Sequence, residues 1–210
     1  SFGYVRLEDM IEAGKRINTA DDWKEEMIRQ SEKALAEGRT MNGAFYYRAA
    51  EFFTLPSDPD KVKLYDKFIE LFYNDVFANE KIERVLVPYE QGYLSSMKVP
   101  SSMDTTKGQI VIHGGFDSFI EEFYSMAVYF SNLGYEVIMF EGLDQGATLK
   151  KYDIPLTHEW EKPIKAILDY FNLENVTLIG YLWVDGFASG KMGSIQPYVY
   201  YQKRQSFRCQ

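Results

Sequence analysis

Residues 109–118 read Gln-Ile-Val-Ile-His-Gly-Gly-Phe-Asp-Ser, and this stretch decides the fold. Its first four residues carry no charge and include three β-branched aliphatic side chains, which is typical of a buried strand. The two glycines that follow permit a sharp turn, and the apolar spacing from Phe119 to Leu133 predicts a helix with one apolar face. A strand, a turn and an amphipathic helix in this order predict an α/β region.

Further strands and helices lie on both sides of this unit. Glu90-Gln91-Gly92 joins two alternating segments, which predicts a β-hairpin, and the spacing from Trp160 to Phe171 predicts another amphipathic helix. The other predicted strands are 82–89, 93–99, 135–140 and 176–179. Strands that alternate with helices imply a largely parallel sheet, wound in the right-handed sense.

Residues 1–80 differ from the rest of the chain in their pattern. Their apolar residues recur at helical spacing, and helix boundaries are indicated by Asp21, Gly38 and Ser57-Asp58-Pro59. We expect four helices in antiparallel pairs. The change to short strands places a boundary at about 79–81, and no periodicity is visible after residue 182. The predicted divisions are therefore 1–80, 81–181 and a tail of unclear structure, 182–210.

Composition excludes several classes of function. The 210 residues contain 23 Lys and Arg against 31 Asp and Glu, a net charge of −8, which argues against binding to nucleic acid or to an anionic membrane. One cysteine, Cys209, and two histidines cannot supply the usual four ligands of a zinc site. No other pattern implies a metal or an organic cofactor, so we expect neither. We expect a cytoplasmic protein, because the chain has neither a long uncharged apolar run nor a signal-peptide pattern.

Candidate functional residues follow the predicted parallel strands, because ligands of open α/β sheets bind beyond the carboxyl ends of the strands. The three segments in that position are 113–118, 141–146 and 180–184.

The order of hairpin, strand, His113-Gly114-Gly115, helix and strand resembles the α/β-hydrolase family. More narrowly, it resembles the serine hydrolases with a helical N-terminal domain that are related to acylaminoacyl peptidases and prolyl oligopeptidases. The resemblance covers about 82–181. It implies an N-terminal helical domain followed by an incomplete α/β-hydrolase sheet, with 1–80 as a cap or a homodimer surface. It also implies a small-molecule or peptide substrate with an ester, amide, peptide or carbon–carbon bond to be cleaved.

For the first segment, the resemblance implies an oxyanion-hole loop formed by His113, Gly114, Gly115 and Phe116. The N–H of Gly115 or Phe116 would be a donor to the oxyanion, and such a donor is worth about 3–4 kcal/mol. His113 would shape the loop rather than act as a base. The alternative is a tight strand-to-helix turn, in which Gly114 and Gly115 adopt dihedral angles closed to other residues.

The second segment, 141–146, resembles the acidic-Gly-Pro-Gly-x-Gly loop of the same hydrolases, but Leu143 replaces the proline and Asp144 a glycine. It is therefore a marker of the fold or a glycine-rich surface turn.

The third segment lacks the Gly-x-Ser-x-Gly motif that the family places after this strand, because Leu182 occupies the serine position and Val184 that of the last glycine. No catalytic residue is identifiable, and His158 matches no position of the family. We expect a truncated or frame-shifted chain after Tyr181, inactive as written, whose sheet exposes an apolar edge beyond 176–179. The alternative is a non-catalytic binding module or protein-interaction domain.

Overall fold

The computed structural model describes residues 3–115, 118–155, 159–182 and 196–203. The chain divides into two compact units, Ser1–Glu80 and Lys81–Gln210.

The first unit contains the four predicted helices, which are confirmed. They are α1 (Leu7–Gly14), α2 (Ala20–Ala36), α3 (Thr40–Phe53) and α4 (Asp60–Leu71), and a short π-helical turn (Phe72–Val76) extends the last. Helix α2 begins with a capping box, because the Asp22 N–H donates to the Thr19 hydroxyl at 3.1 Å and the Asp22 carboxylate accepts from the Thr19 N–H at 2.9 Å. The core of this unit is aromatic, with Tyr46, Tyr65, Phe68 and Phe72 fully buried.

The second unit is built on a mixed sheet of six strands among the described residues. The strands are β1 (Glu83–Tyr89), β2 (Gly92–Val99), β3 (Gly108–His113), β4 (Tyr135–Phe140), β5 (Asn175–Leu182) and β6 (Gln196–Lys203). Their order in the sheet is β1-β2-β4-β3-β5-β6. The α/β class and the hairpin are as predicted, and Glu90 forms the hairpin turn with a φ of +48°.

The prediction of a largely parallel sheet is confirmed for the three strands that alternate with helices, since β4, β3 and β5 run parallel. It does not hold for the sheet as a whole, because among the described residues β2 meets β4, and β6 meets β5, in antiparallel pairs. Apolar runs identify strands in a sequence, but they do not specify which neighbour each strand pairs with, or in which direction.

The expectation of an exposed edge beyond β5 is also wrong. Strand β6 pairs with β5 along its whole length, from Asn175 opposite Lys203 to Leu182 opposite Gln196. The segment 197–201 reads Pro-Tyr-Val-Tyr-Tyr, which is rich in the aromatic and β-branched residues that favour strands. The strand was not predicted, because 182–210 shows no clear period; the composition of 197–201 was the only signal for it.

Helices accompany the sheet. The predicted helix over 119–133 is a 3-10 turn (Ile120–Phe123) followed by α5 (Tyr124–Asn132). Helix α6 (Gly146–Tyr152) was not predicted, and α7 (Glu161–Tyr170) matches the predicted amphipathic helix. The main core of this unit includes Val111, Ile138, Phe140, Ile167 and Val176. In the part of the chain that the structure describes, no helix is both long and apolar enough to cross a bilayer.

Candidate functional site

The three predicted segments follow strands that lie side by side. In the sheet register, His113 at the end of β3 stands between Phe140 of β4 and Gly180 of β5. The carboxyl ends of these parallel strands therefore bring the start of each segment to one edge of the sheet, as expected for an open α/β fold.

The His113 side chain is enclosed between aromatic rings and the backbone. Its ring centroid lies 5.1 Å from that of Trp160 and 5.8 Å from that of Phe140. Its Nδ1 lies 3.2 Å from the carbonyl oxygen of Gly114, and because a carbonyl only accepts, Nδ1 carries the proton. Burial lowers the pKa of His113 below 6.5, and the bond to Gly114 opposes this shift only in part. The imidazole is therefore neutral at pH 7.

Position 114 requires glycine because its surroundings leave no space for a Cβ atom, and not because of its backbone dihedral angles. A Cβ at this position would overlap the Ser118 hydroxyl and approach the Phe123 ring to 3.2 Å, while its φ is outside the left-handed region. The following Gly115 carbonyl accepts from the Ser118 N–H at 3.2 Å and from the Ser118 hydroxyl at 2.8 Å. Phe116 lies outside the described residues, so Gly115 is the candidate oxyanion donor whose surroundings are known.

Gln145 connects this loop to the one after β4. Its side-chain Nε2 donates to the carbonyls of Gly114 at 3.1 Å and Gly115 at 2.8 Å, and its Oε1 accepts from the Gly142 N–H at 2.7 Å. The side chain is buried, with 4% of the residue exposed. Sequence reasoning missed this residue, because a glutamine in a glycine-rich segment gives no signal of a contact 30 residues away.

The segment 141–146 is buried except for Asp144, which is half-buried. Its interpretation as a surface turn is therefore wrong. The physical reason is that Gly142 packs directly against the Trp160 ring, in a space that a Cβ would fill. Gly146, with a φ of +38°, likewise leaves room for the carboxylate of Glu141.

Glu141 is a fully buried carboxyl group at the end of β4. The Ala147 N–H donates to its Oε2 at 2.8 Å, and Oε1 has no hydrogen-bond partner among the described residues. Burial, and then the negative charge of the equally buried Glu121, raise the pKa of Glu141 to about 8, against the opposing effect of the Ala147 bond. The group is therefore mostly protonated at pH 7. Sequence reasoning noted the acidic residue but not its burial beside a second one.

Leu182 lies in the last position of β5, with its backbone opposite Gln196 of β6. The strand thus continues through the position at which the family resemblance places a nucleophile on a turn. His158 lies outside the described residues. Within the described ranges, no group of three or more His, Cys, Asp or Glu side chains is placed to hold a metal ion.

Chemically, the described part of the loop after β3 offers backbone N–H groups, while its one hydroxyl group, that of Ser118, donates to the Gly115 carbonyl. At Gly115, the hydrogen bonds found within the described ranges all reach the carbonyl oxygen, from Gln145 and Ser118. A buried loop whose carbonyls are held in this way can present N–H donors to an oxygen that develops negative charge.

No family model matches the sequence. Among curated proteins, the α/β hydrolase UcsC of an Acremonium species is 27% identical over 191 residues, which cover 75% of this chain and 39% of that protein. The α/β hydrolase GkaG of Penicillium citrinum is 30% identical over 144 residues, covering 65% of this chain and 34% of that protein. The chain spans less than half the length of these relatives.

Two solved structures share the fold. AbyA5 wild type superimposes with a TM-score of 0.66 at 16% identity, over 78% of this chain and 46% of that one. The 2,6-dihydroxy-pseudo-oxynicotine hydrolase gives a TM-score of 0.63 at 19% identity, over 86% of this chain and 57% of that one. The chain is thus similar in sequence to curated α/β hydrolases, and it shares the α/β fold of these two solved structures.

Proposed function

We propose that this chain carries the oxyanion-loop part of a serine hydrolase that cleaves an ester, amide, peptide or carbon–carbon bond next to a carbonyl group. The observation that carries the proposal is the loop His113-Gly114-Gly115 at the carboxyl edge of the sheet, in which both glycines are buried and their carbonyls are bound by Gln145 and Ser118. One solved neighbour is named for hydrolysis of 2,6-dihydroxy-pseudo-oxynicotine. We therefore favour a small-molecule substrate over a peptide.

In this proposal the Gly115 N–H donates to the carbonyl oxygen of the substrate as a nucleophile adds to the carbonyl carbon. Such a donor stabilises the transition state by about 3–4 kcal/mol. His113 is neutral and enclosed by Trp160 and Phe140, which favours a role in shaping the loop over one as a general base.

This stretch of chain does not supply the nucleophile at the family's position, because leucine at position 182 has no nucleophilic atom. Loss of the nucleophile of a catalytic triad lowers kcat by about a millionfold. We therefore expect these 210 residues to be almost inactive by themselves.

A second candidate is a non-catalytic binding module. The observation that favours it is the continuation of β5 through Leu182 into antiparallel pairing with β6, because a paired strand does not expose a side chain on a sharp turn. The oxyanion loop would then persist as part of the scaffold, and 1–80 would bind a protein partner.

Intact mass combined with labelling by a fluorophosphonate probe tests both candidates. The protein should be taken from its native source, with the purified 24.4 kDa chain in parallel and heat-denatured samples as controls. Stoichiometric labelling of a species heavier than 24.4 kDa, with none on the chain alone, is the result expected of a hydrolase. Absence of labelling on every native species would contradict the hydrolase proposal and favour the binding module.

A further inference from the structure

Gln145 stands at the start of α6 but does not cap it. Its backbone is extended, with φ −119° and ψ 150°, and its side chain makes no hydrogen bond to the first turn of the helix. The N–H of Ala147 in that turn donates to Glu141 instead. The Gln145 amide is therefore directed away from its own helix, toward the loop after β3.

The amide group of Gln145 is used completely. Nε2 has two protons and reaches two carbonyl oxygens, those of Gly114 and Gly115, while Oε1 accepts from Gly142. The reversed orientation would place Oε1 against two carbonyl oxygens and Nε2 against an N–H. Because the side chain is buried, either mismatch would leave polar groups unsatisfied, so the hydrogen bonds fix the orientation.

The direction of these bonds determines where the loop presents its own donor. The chain contains no cis peptide bond among the described residues, and in a trans peptide the C=O and the following N–H point in opposite directions. When Gln145 holds the Gly114 carbonyl on its own side, the Gly115 N–H in the same peptide plane points to the other side. The Gly115 carbonyl accepts one bond from Gln145 and two from Ser118, so the peptide group that follows Gly115 is also fixed.

We propose that Gln145 is the positioning residue of the oxyanion loop, and that its side-chain amide turns the Gly115 N–H toward an anionic oxygen of the substrate. The proposal rests on the proposed function for the identity of the ligand. The positioning itself depends only on the contacts within this chain.

Two variants of Gln145 distinguish the donor Nε2 of its side-chain amide from the acceptor Oε1. When ionised, Gln145→Glu keeps the length and the acceptor for Gly142 but loses the donors to the loop, whereas Gln145→Met loses both. Thr148→Val is a matched control, because Thr148 is equally buried on α6 but approaches the Tyr93 carbonyl, at 3.5 Å, rather than the loop. Two quantities are measured by NMR on the ¹⁵N-labelled chain. They are the chemical shifts of the backbone amides and the rates at which these amides exchange hydrogen with solvent.

We expect the Gly115 amide signal to shift in both Gln145 variants and to stay in place in Thr148→Val. Exchange at Gly142 should accelerate about tenfold in Gln145→Met, because that N–H loses its buried acceptor, and should change little in Gln145→Glu. If a folded Gln145→Met protein keeps the wild-type Gly115 signal, Gln145 does not position the loop. Should Gln145→Glu fail to fold, the methionine variant alone decides.

A kinetic measurement separates this inference from the proposed function. In a native form that reacts with fluorophosphonate, Gln145→Met should lower the maximal rate of labelling about 10- to 100-fold with little change in the half-saturating probe concentration, since a misplaced donor weakens transition-state binding selectively. An equal loss in Thr148→Val, or a change in the half-saturating concentration alone, would overturn the positioning role. A native protein that never reacts contradicts the hydrolase, while the Gly115 signal still decides the role of Gln145.

Discussion

The imidazole of His113 lies against the backbone of Gly180. A Cβ on Gly180 would stand 2.6 Å from the Nε2 atom of His113, closer than real Cβ atoms approach. The two residues are register partners in the parallel pair of β3 and β5. Gly180 therefore makes room for the imidazole ring, whose centroid lies 5.1 Å from that of the Trp160 ring.

Gly180→Ala should destabilise the second unit by about 1–3 kcal/mol, because the added methyl group must displace the His113 ring or the strand. His113→Ala should remove most of that cost when the two substitutions are combined, since the ring is then absent. Hydrogen exchange of the β3 amides gives the local free energy of unfolding for both single variants and the double variant. Additive effects would show that the two residues do not interact.

The buried Glu141 predicts an unusual dependence of stability on pH. Its pKa is raised to about 8 in the folded chain and lies near 4.3 in an unfolded one, so between these values the unfolded state binds fewer protons. Stability should therefore fall as pH rises from about 4.5 to 8, with a slope of at most about 1.4 kcal/mol per pH unit from this group. Hydrogen exchange of the β4 amides, corrected for intrinsic rates, measures the change.

The variant Glu141→Gln carries a neutral amide at every pH, so residue 141 should no longer make stability depend on pH. The variant should therefore become more stable relative to the wild type as pH rises. Glu121→Gln should weaken the dependence, because it removes the neighbouring negative charge that raises the pKa of Glu141. Glu136→Gln is the control: Glu136 lies on β4, the strand that Glu141 follows, is half-buried, and pairs with Lys98 at 3.1 Å. Equal pH profiles for Glu141→Gln and the wild type would rule out this role for Glu141.

Asp153 ends α6 in a left-handed conformation, with φ +51° and ψ 40°. Its N–H donates to the Leu149 carbonyl at 3.1 Å, and its side chain is exposed. Glycine adopts this conformation without a steric penalty, so Asp153→Gly should stabilise the unit by about 0.5–1 kcal/mol. Asp153→Ala should destabilise it by about 1 kcal/mol. A higher midpoint of thermal unfolding for Asp153→Ala than for Asp153→Gly would contradict this explanation.

Local pattern was sufficient to predict most elements of the fold. Strand β4 has the predicted bounds, 135–140, because an apolar run between Gly134 and Gly142 leaves few alternatives. Strand direction and the pairing of β6 could not be predicted, since they depend on contacts between distant segments. The spacing after Ile112 identified the candidate loop, whereas the contact of Gln145 with Gly114 is visible only once α6 is placed.

Tyr46 and Asp9 form a buried polar pair in the first unit, where the Tyr46 hydroxyl donates to the Asp9 carboxylate at 2.7 Å. Burial would raise the pKa of Asp9, but the hydrogen bonds from Tyr46 and Arg39 outweigh it and hold the pKa below its usual value. Tyr46→Phe should therefore cost about 1–3 kcal/mol at pH 7, because the buried carboxylate loses a donor.

Asp9→Asn and the double variant complete a cycle whose coupling energy isolates this bond. The cost of Tyr46→Phe should be present above the unfolded pKa of aspartate, about 3.9, and decline as pH falls through the lower folded value, since a protonated Asp9 needs the donor less. Hydrogen exchange of the α3 amides reports this unit separately from the second. A cost that is unchanged between about pH 7 and about pH 2.5 would mean that the hydroxyl stabilises the unit by packing rather than by binding the carboxylate.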